Sequence, residues 1–224
     1  KEIYGTRMGA YIDFDKSSPQ IQVQIATSFI SIEQARMNLE HEVPEWDFKQ
    51  LCNNTKKAWN DKLSKFHIKG NNKDDAPIFY TALYHCYLFP REFSEYGKYY
   101  SAFDDKIHDG FSYNDYSLWD TFRAFHPLMT LIEPELTGDW ITALLQMYKE
   151  GGWLPMWPNP SYTNIMIGTH ADAVIADAYM KGIRNYDIGL AYEALRKNAM
   201  VPPDCDTQRR YGDRDYWTSF EGRA

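Results

Sequence analysis

Polar and apolar positions alternate strictly through Gln20-Ile21-Gln22-Val23-Gln24-Ile25-Ala26, the period-two signature of a half-buried strand within residues 20–30. Tyr11-Ile12-Asp13-Phe14 is its expected partner, with Asp15-Lys16-Ser17-Ser18-Pro19 as the turn between them. A lone hairpin is marginal in water, so the pair is expected to close a β domain whose other strands lie elsewhere. At Ser31 the pattern changes. Ser31 and Gln34 form a Ser-x-x-Gln capping box, which predicts a helix over 31–42 that Pro44 ends. A second helix is predicted over 47–66, where Phe48, Leu51, Trp59, Leu63 and Phe66 fall near helical spacing. After Gly70 and Asn71-Asn72, a third begins near Asp75 and carries Ile78, Phe79, Ala82, Leu83 and Tyr87 towards Pro90.

Residues 97–116 are rich in Gly, Asp and Tyr and suit short strands and loops. Helical spacing returns over 117–132, 134–150, 169–181 and 187–198. Gly151-Gly152 and Gly182 stand just past helix ends, where glycine supplies a left-handed cap. Helices in succession without intervening strands predict a mainly α fold, a bundle or a toroid of helical hairpins. No fixed-period repeat and no low-complexity linker divides the chain.

Composition narrows the function classes. The 224 residues carry a net charge of −7, with acids and bases mixed along the chain. Nucleic-acid binding needs a basic stripe, and none exists. No apolar run reaches the ~18 residues of a membrane span. Aromatic residues make up 16% of the chain; their faces either fill a core or stack on the C–H face of a sugar. Cys52, Cys86 and Cys205 are an odd, scattered set, neither a disulfide framework nor a zinc motif. Asn53-Asn54-Thr55 is a glycosylation sequon. The opening Lys1-Glu2-Ile3, with neither Met nor signal-like stretch, is expected of a mature product, a cut chain or an incomplete reading frame.

Three segments are candidates for chemistry. In the first, Leu118, Phe122, Phe125, Met129 and Ile132 form one apolar stripe, with Trp119, Arg123, His126 and Thr130 on the neighbouring one. Asp120 and Arg123 are spaced to pair, either as a plain helix-start ion pair or as polar groups at a pocket mouth beside an aromatic ring. Pro127 cannot donate to the Arg123 carbonyl, so a kink or break is expected there. In the second, Gly151-Gly152-Trp153-Leu154-Pro155-Met156-Trp157-Pro158-Asn159-Pro160-Ser161-Tyr162 cannot be a regular helix. It is an ordered loop whose Trp153 and Trp157 either plug the core or stack on sugar. The third runs from Gly168 to Gly182. Thr169 and Asp172 have N-terminal capping spacing, Asp177 and Lys181 are placed for a surface bridge, and Ala171, Ala173, Ala176 and Ala178 allow close helix approach. His170 stands at the helix start, facing whatever the aromatic loop encloses. Nucleophile elbows, phosphate loops, dinucleotide fingerprints, His-Glu-x-x-His and EF-hand loops are absent. Asp204, Asp206, Asp213, Asp215 and Glu221, interleaved with Arg209, Arg210 and Arg214, read as a surface ion network.

Several stretches, in order, resemble glycoside hydrolase family 92. They are Thr27-Ser28-Phe29-Ile30-Ser31-Ile32-Glu33-Gln34-Ala35, Leu118-Trp119-Asp120-Thr121-Phe122-Arg123, Gly151-Gly152-Trp153-Leu154-Pro155, and Gly168-Thr169-His170-Ala171-Asp172 through Gly182. The resemblance implies an amino-terminal β-sandwich joined to an (α/α)6 helical toroid. Residues 1–30 would be the last sandwich strands, and 31–224 the first, incomplete part of the toroid. It also implies a secreted, calcium-dependent, inverting exo-α-mannosidase of α-1,2 type that trims N-glycans. A mannose-containing glycan and the remainder of the same polypeptide would be its partners. Trp119 and Asp120 match the motif lining the terminal-mannose subsite, and Arg123, Trp153, Trp157, His170 and Asp172 are further candidates for the sugar-binding wall.

Inversion needs one carboxyl group to protonate the leaving oxygen and another to activate water, about 6.5–9.5 Å apart. Calcium suits a site where a hard cation binds hydroxyl oxygens. The family's acid motif, Glu-Gly-Asn-Ala-Trp-Gln, and base motif, Gly-Asn-Asp-Asp-x-Gly, do not occur in this sequence. The chain is therefore expected to supply part of the mannose-binding cleft without catalytic residues or calcium ligands of its own, and to be inactive alone. The competing readings are a non-catalytic sugar-binding or structural protein of the same fold, and a different helical-toroid glycosidase.

Overall fold

The computed structural model describes residues 9, 11–14, 20–163 and 166–201. It is mainly helical. Helices α1 (Ile32–Glu42), α2 (Phe48–Leu63) and α3 (Asp75–Cys86) come first. Four short strands follow: β1 (Arg91–Glu92), β2 (Lys98–Ser101), β3 (Lys106–Asp109) and β4 (Tyr113–Asn114). Helices α4 (Leu118–Thr121), α5 (Phe125–Ile132), α6 (Pro134–Gly151), α7 (His170–Met180) and α8 (Ile188–Met200) complete the order. Strands pair antiparallel, β1 with β4 and β2 with β3. Cys205, the carboxylate-rich tail and the turn at 15–19 lie outside the described residues. No helix among the described residues is long and apolar enough to cross a membrane.

The helix starts follow local chemistry. The Ser31 hydroxyl accepts from the Gln34 amide N–H (3.0 Å) and the Asp47 carboxylate from that of Gln50 (2.8 Å), satisfying donors that the helix leaves free. The return arm of the α1 capping box is not made. The buried Gln34 side chain instead donates to Asn38 and to the Glu95 carbonyl, both at 3.0 Å. Asn38 donates in turn to the Thr27 carbonyl and to the Glu95 carboxylate, so a polar clasp ties residues 27–29 to α1 and the β1–β2 connection.

The strand expected at 20–30 does not form. Residues 11–14 and 20–28 take no regular structure, and Val23 and Ile25 are 64% and 83% exposed. An alternating segment becomes a strand only when another chain segment supplies ladder partners and a covering face. Here the Gln24 side chain reaches the carbonyls of Val43 and Glu45 at the α1–α2 connection instead.

The core lies behind the second half of the chain. Trp140, Ile141, Leu144, Leu145, Met147 and Tyr148 of α6 are buried against Leu118, Met129, Val174, Ile175, Ala191 and Ala194, and α6 packs against α5, α7 and α8. Of the four alanines expected to allow close helix approach, Ala171 and Ala178 are fully buried and do so, while Ala173 and Ala176 face outward. Helix α6 ends on Gly152 in the left-handed conformation (φ 88°), and Gly182 adopts the same backbone after α7. Gly151 is the last turn of α6 rather than a residue beyond it. The β2–β3 hairpin is fastened to this end of α6, with Tyr99 and Ser101 donating to the two Glu150 carboxylate oxygens at 2.5 and 2.6 Å.

The helix expected over 117–132 is two helices. Helix α4 stops at Thr121 and α5 starts at Phe125. Pro127 has no N–H to offer the Arg123 carbonyl, and the chain breaks one turn before it, with Ala124 leaving helical geometry at φ −132°. The apolar stripe survives the break: Leu118 and Met129 are fully buried, and Phe122, Phe125 and Ile132 pack on the core.

His126 is 2% exposed, and neither ring nitrogen has a hydrogen-bond partner. It packs edge-to-face against Trp140 and Phe125. Burial pushes its pKa down from 6.5 to about 4, since a charged ring there loses its hydration. The folded state therefore binds fewer protons than the unfolded chain between these values, and stability falls as pH drops through that window. A loss on the order of 3 kcal/mol between pH 7 and pH 4 is expected from this ring. Urea denaturation at both pH values checks it, and His126→Phe should remove that share of the pH dependence.

Candidate functional site

The turn α4, the loop 152–163 and the first turn of α7 meet at one side of the core. Ser117 precedes α4, where the Thr121 hydroxyl donates back to the Ser117 carbonyl (2.9 Å) and Leu118 anchors the turn in the core. That anchoring leaves Trp119 and Asp120 outward, with Trp119 37% exposed.

Arg123 does not pair with Asp120, as its spacing had suggested. Its guanidinium lies over the Trp119 ring at 4.7 Å and the Phe122 ring at 5.0 Å. The helix ends between the two residues, and a planar cation gains from stacking on two aromatic faces. Phe122 in turn stacks parallel on His170, with centroids 4.2 Å apart and planes 1° apart. The result is a column of Trp119, Arg123, Phe122 and His170. Burial lowers the His170 pKa, and the Arg123 charge lowers it further against an opposing pull from Asp172. The ring is thus held towards its neutral form.

The remaining candidates separate. Trp157 is half-buried and donates its indole N–H to the Ser117 hydroxyl at 2.6 Å; that hydroxyl donates to Asp120 Oδ2 at 3.1 Å. Trp153, at 6% exposure, is engaged inside the fold. Its backbone N–H and carbonyl both bond the Tyr162 hydroxyl, and the Lys197 ammonium sits 4.5 Å over its ring. Asp172 accepts from the buried Asn198 amide at 2.8 Å, which ties α7 to α8. The Thr169 side chain makes no capping bond. The Asp177–Lys181 bridge forms at 2.6 Å.

A cleft of about 550 Å³ opens at Ser117 and Thr121, the residues that flank the Trp119–Asp120 pair in the chain. Tyr116, Ser117, Thr121, Phe125, His126 and Trp157 line it, and an Arg91–Asp115 ion pair borders it. Sequence reasoning missed Arg91, Asp115 and Ser117. Asp115 has a left-handed backbone (φ 63°), which Asn and Asp tolerate best among residues with a side chain, so Asn114-Asp115 was the available signal. An outward ring, a carboxylate with one oxygen held, and a guanidinium-backed aromatic column suit a polyhydroxylated ligand. The ring covers C–H faces and the carboxylate accepts from hydroxyl groups.

Comparison with known proteins gives one consistent result. Residues 34–221 match the Glycosyl hydrolase family 92 catalytic domain. A secreted glycosidase of Arthroderma benhamiae is 30% identical over 222 residues, covering 94% of this chain and 24% of its own length. The structure is similar to a family GH92 inverting mannosidase of Bacteroides thetaiotaomicron, with a TM-score of 0.76 at 37% identity over 79% of this chain and 25% of that one. A GH92 α-mannosidase of the same organism, solved in complex with mannoimidazole, gives a TM-score of 0.74 at 32% identity over 80% and 24% of the two chains. The chain thus spans about a quarter of the length of each of these relatives.

Gly168 tests the aromatic column. Its φ is +92°, and a Cβ there would stand 2.9 Å from His170 Nε2. Gly168→Ala should cost about 1–3 kcal/mol and displace the His170 ring from Phe122. The measurements are thermal unfolding and the ring-current shift of the His170 resonances.

Proposed function

Since the chain belongs to glycosyl hydrolase family 92, we propose that it forms the mannose-binding wall of an inverting exo-α-mannosidase. In this reading it is the first part of an (α/α)6 toroid, and residues 11–14 and 20–28, which form no ladder here, would pair only with sandwich strands supplied elsewhere in a longer polypeptide. The enzyme is secreted, of α-1,2 type, and trims mannose from N-glycans. The observation that carries the reading is the outward Trp119–Asp120 pair, which stands in the chain between the cleft-lining Ser117 and Thr121, in a chain whose similar structures include an inverting mannosidase and an α-mannosidase solved with mannoimidazole.

The chain's own residues bind and orient. Trp119 stacks on the C–H face of the terminal sugar, backed by the Arg123 guanidinium. Asp120 accepts hydrogen bonds from ring hydroxyls, a charge-assisted contact. Protonation of the leaving oxygen and activation of water require two further carboxyl groups. These, with the calcium ligands, are assigned to other parts of a longer polypeptide. Among the described residues no group of three or more His, Cys, Asp or Glu side chains could hold a metal ion, so these residues do not fit a calcium cage.

Two experiments test this. The purified chain, incubated with an aryl α-mannoside or a mannose-capped glycan, should release no mannose with or without calcium; turnover would return attention to its own carboxylates. In a full-length polypeptide carrying the chain, Asp120→Asn should lower kcat/KM about 10- to 100-fold, the weight of a hydrogen bond to a charged group. Trp119→Ala should do likewise, and kinetics on α-mannosides reads both.

A further inference from the structure

We infer that Ser117 and Trp157 are positioning residues for Asp120, and that Trp157 acts through its indole N–H rather than by stacking on sugar. The inference rests on the proposed role of Asp120 in mannoside binding and adds how that carboxylate is aimed.

The bonding order follows from donor chemistry. An indole N–H only donates and an ionised carboxylate only accepts. Trp157 Nε1 lies 2.6 Å from Ser117 Oγ, so the serine oxygen is the acceptor there. The single hydroxyl proton is then available for Asp120 Oδ2, 3.1 Å away. The relay runs one way, from Trp157 through Ser117 to Asp120, and each bond polarises the next.

Both ends of the relay are anchored. The Thr163 hydroxyl donates to the Trp157 carbonyl at 2.7 Å, holding the loop that carries the indole. The Thr121 hydroxyl donates to the Ser117 carbonyl, holding the turn that carries Asp120. An exposed carboxylate without such a partner turns freely about its side-chain bonds. Here Oδ2 is occupied, which leaves Oδ1 as the acceptor presented to a ligand hydroxyl. The relay also explains why a ring in the aromatic loop is half-buried beside the cleft instead of lying flat on its rim. Its N–H is directed at α4.

The test uses the full-length polypeptide carrying the chain, with an aryl α-mannoside as substrate and mannoimidazole as the inhibitor probe. The variants are Ser117→Ala, Ser117→Thr, Trp157→Phe, Asp120→Asn and the double variant Ser117→Ala/Asp120→Asn. Ser117→Ala and Trp157→Phe should each raise KM and the mannoimidazole inhibition constant about 3- to 10-fold. Their kcat should stay within about twofold, and Ser117→Thr should restore the hydroxyl and most of the affinity. The double variant should be no weaker than Asp120→Asn alone, because the serine acts only through that carboxylate. If Ser117→Ala has no effect while Asp120→Asn is crippled, or if the two losses multiply, the relay is wrong. If Asp120→Asn leaves both constants unchanged, the mannoside role of Asp120 fails, whatever Ser117 does. Should Trp157→Phe fail to fold, the Ser117 variants and the double variant decide the matter.

Discussion

The burial of α6 is the constraint on which the second half of the molecule depends. Its apolar side chains are covered by α5 on one side and by α7 and α8 on others, and apolar area removed from water is the main favourable term in folding. A helix surrounded in this way sets the places of its neighbours. The Tyr116 hydroxyl donates to the Trp140 carbonyl inside the core, which locates the entry to α4 on α6. The β2–β3 hairpin is located by Glu150, and Lys197 of α8 donates to the Gly152 carbonyl just past the helix end. The turn, the loop and α7 are thus carried by one packed element.

On that support, a break in one helix shapes the site. A continuous helix through 117–132 would have kept Asp120 and Arg123 one turn apart on a shared face. The break lets Arg123 lie on Trp119 and Phe122, while Asp120 turns to Ser117. The cation therefore stiffens an aromatic ring, and the carboxylate remains available to a ligand. The first half of the chain contributes differently. Helix α2 has no fully buried side chain and is held by peripheral contacts, among them Trp59 on Tyr84 and the Lys62 bridge to Glu133, joined by Lys65 just past the helix end. Burial works against the Glu133 charge, but bonds from Lys65, Lys62 and Tyr87 still hold its pKa below the usual value.

Much of the site's framework could be read locally. The α4 segment, the glycine-capped end of α6 and the start of α7 all lie where spacing put them, and the order of motifs carried the family. The three tryptophans could not be ranked in the same way. Trp119, Trp153 and Trp157 are chemically identical, and both Trp153 and Trp157 sit in a loop without periodicity. Their burial depends on Tyr162, Lys197 and Ser117, the last 40 residues from its tryptophan. Ser117 itself gave no signal, because a serine before a helix looks like a cap until its partners are known.

What the sequence alone determined about this protein was whatever nearest neighbours decide: the cap at Ser31, the break at Pro127, the left-handed ends at Gly152 and Gly182, and the family. Each follows from backbone donors, ring geometry or a short motif within a few residues. What only the tertiary structure decided was which side chains face each other across the fold. It left Gln20–Ala26 without ladder partners, set Arg123 on rings instead of on Asp120, sank Trp153, and joined Trp157 through Ser117 to the outward carboxylate of Asp120. Strand pairing, burial and hydrogen-bond choice depend on partners distant in the chain, and local periodicity carries no record of them.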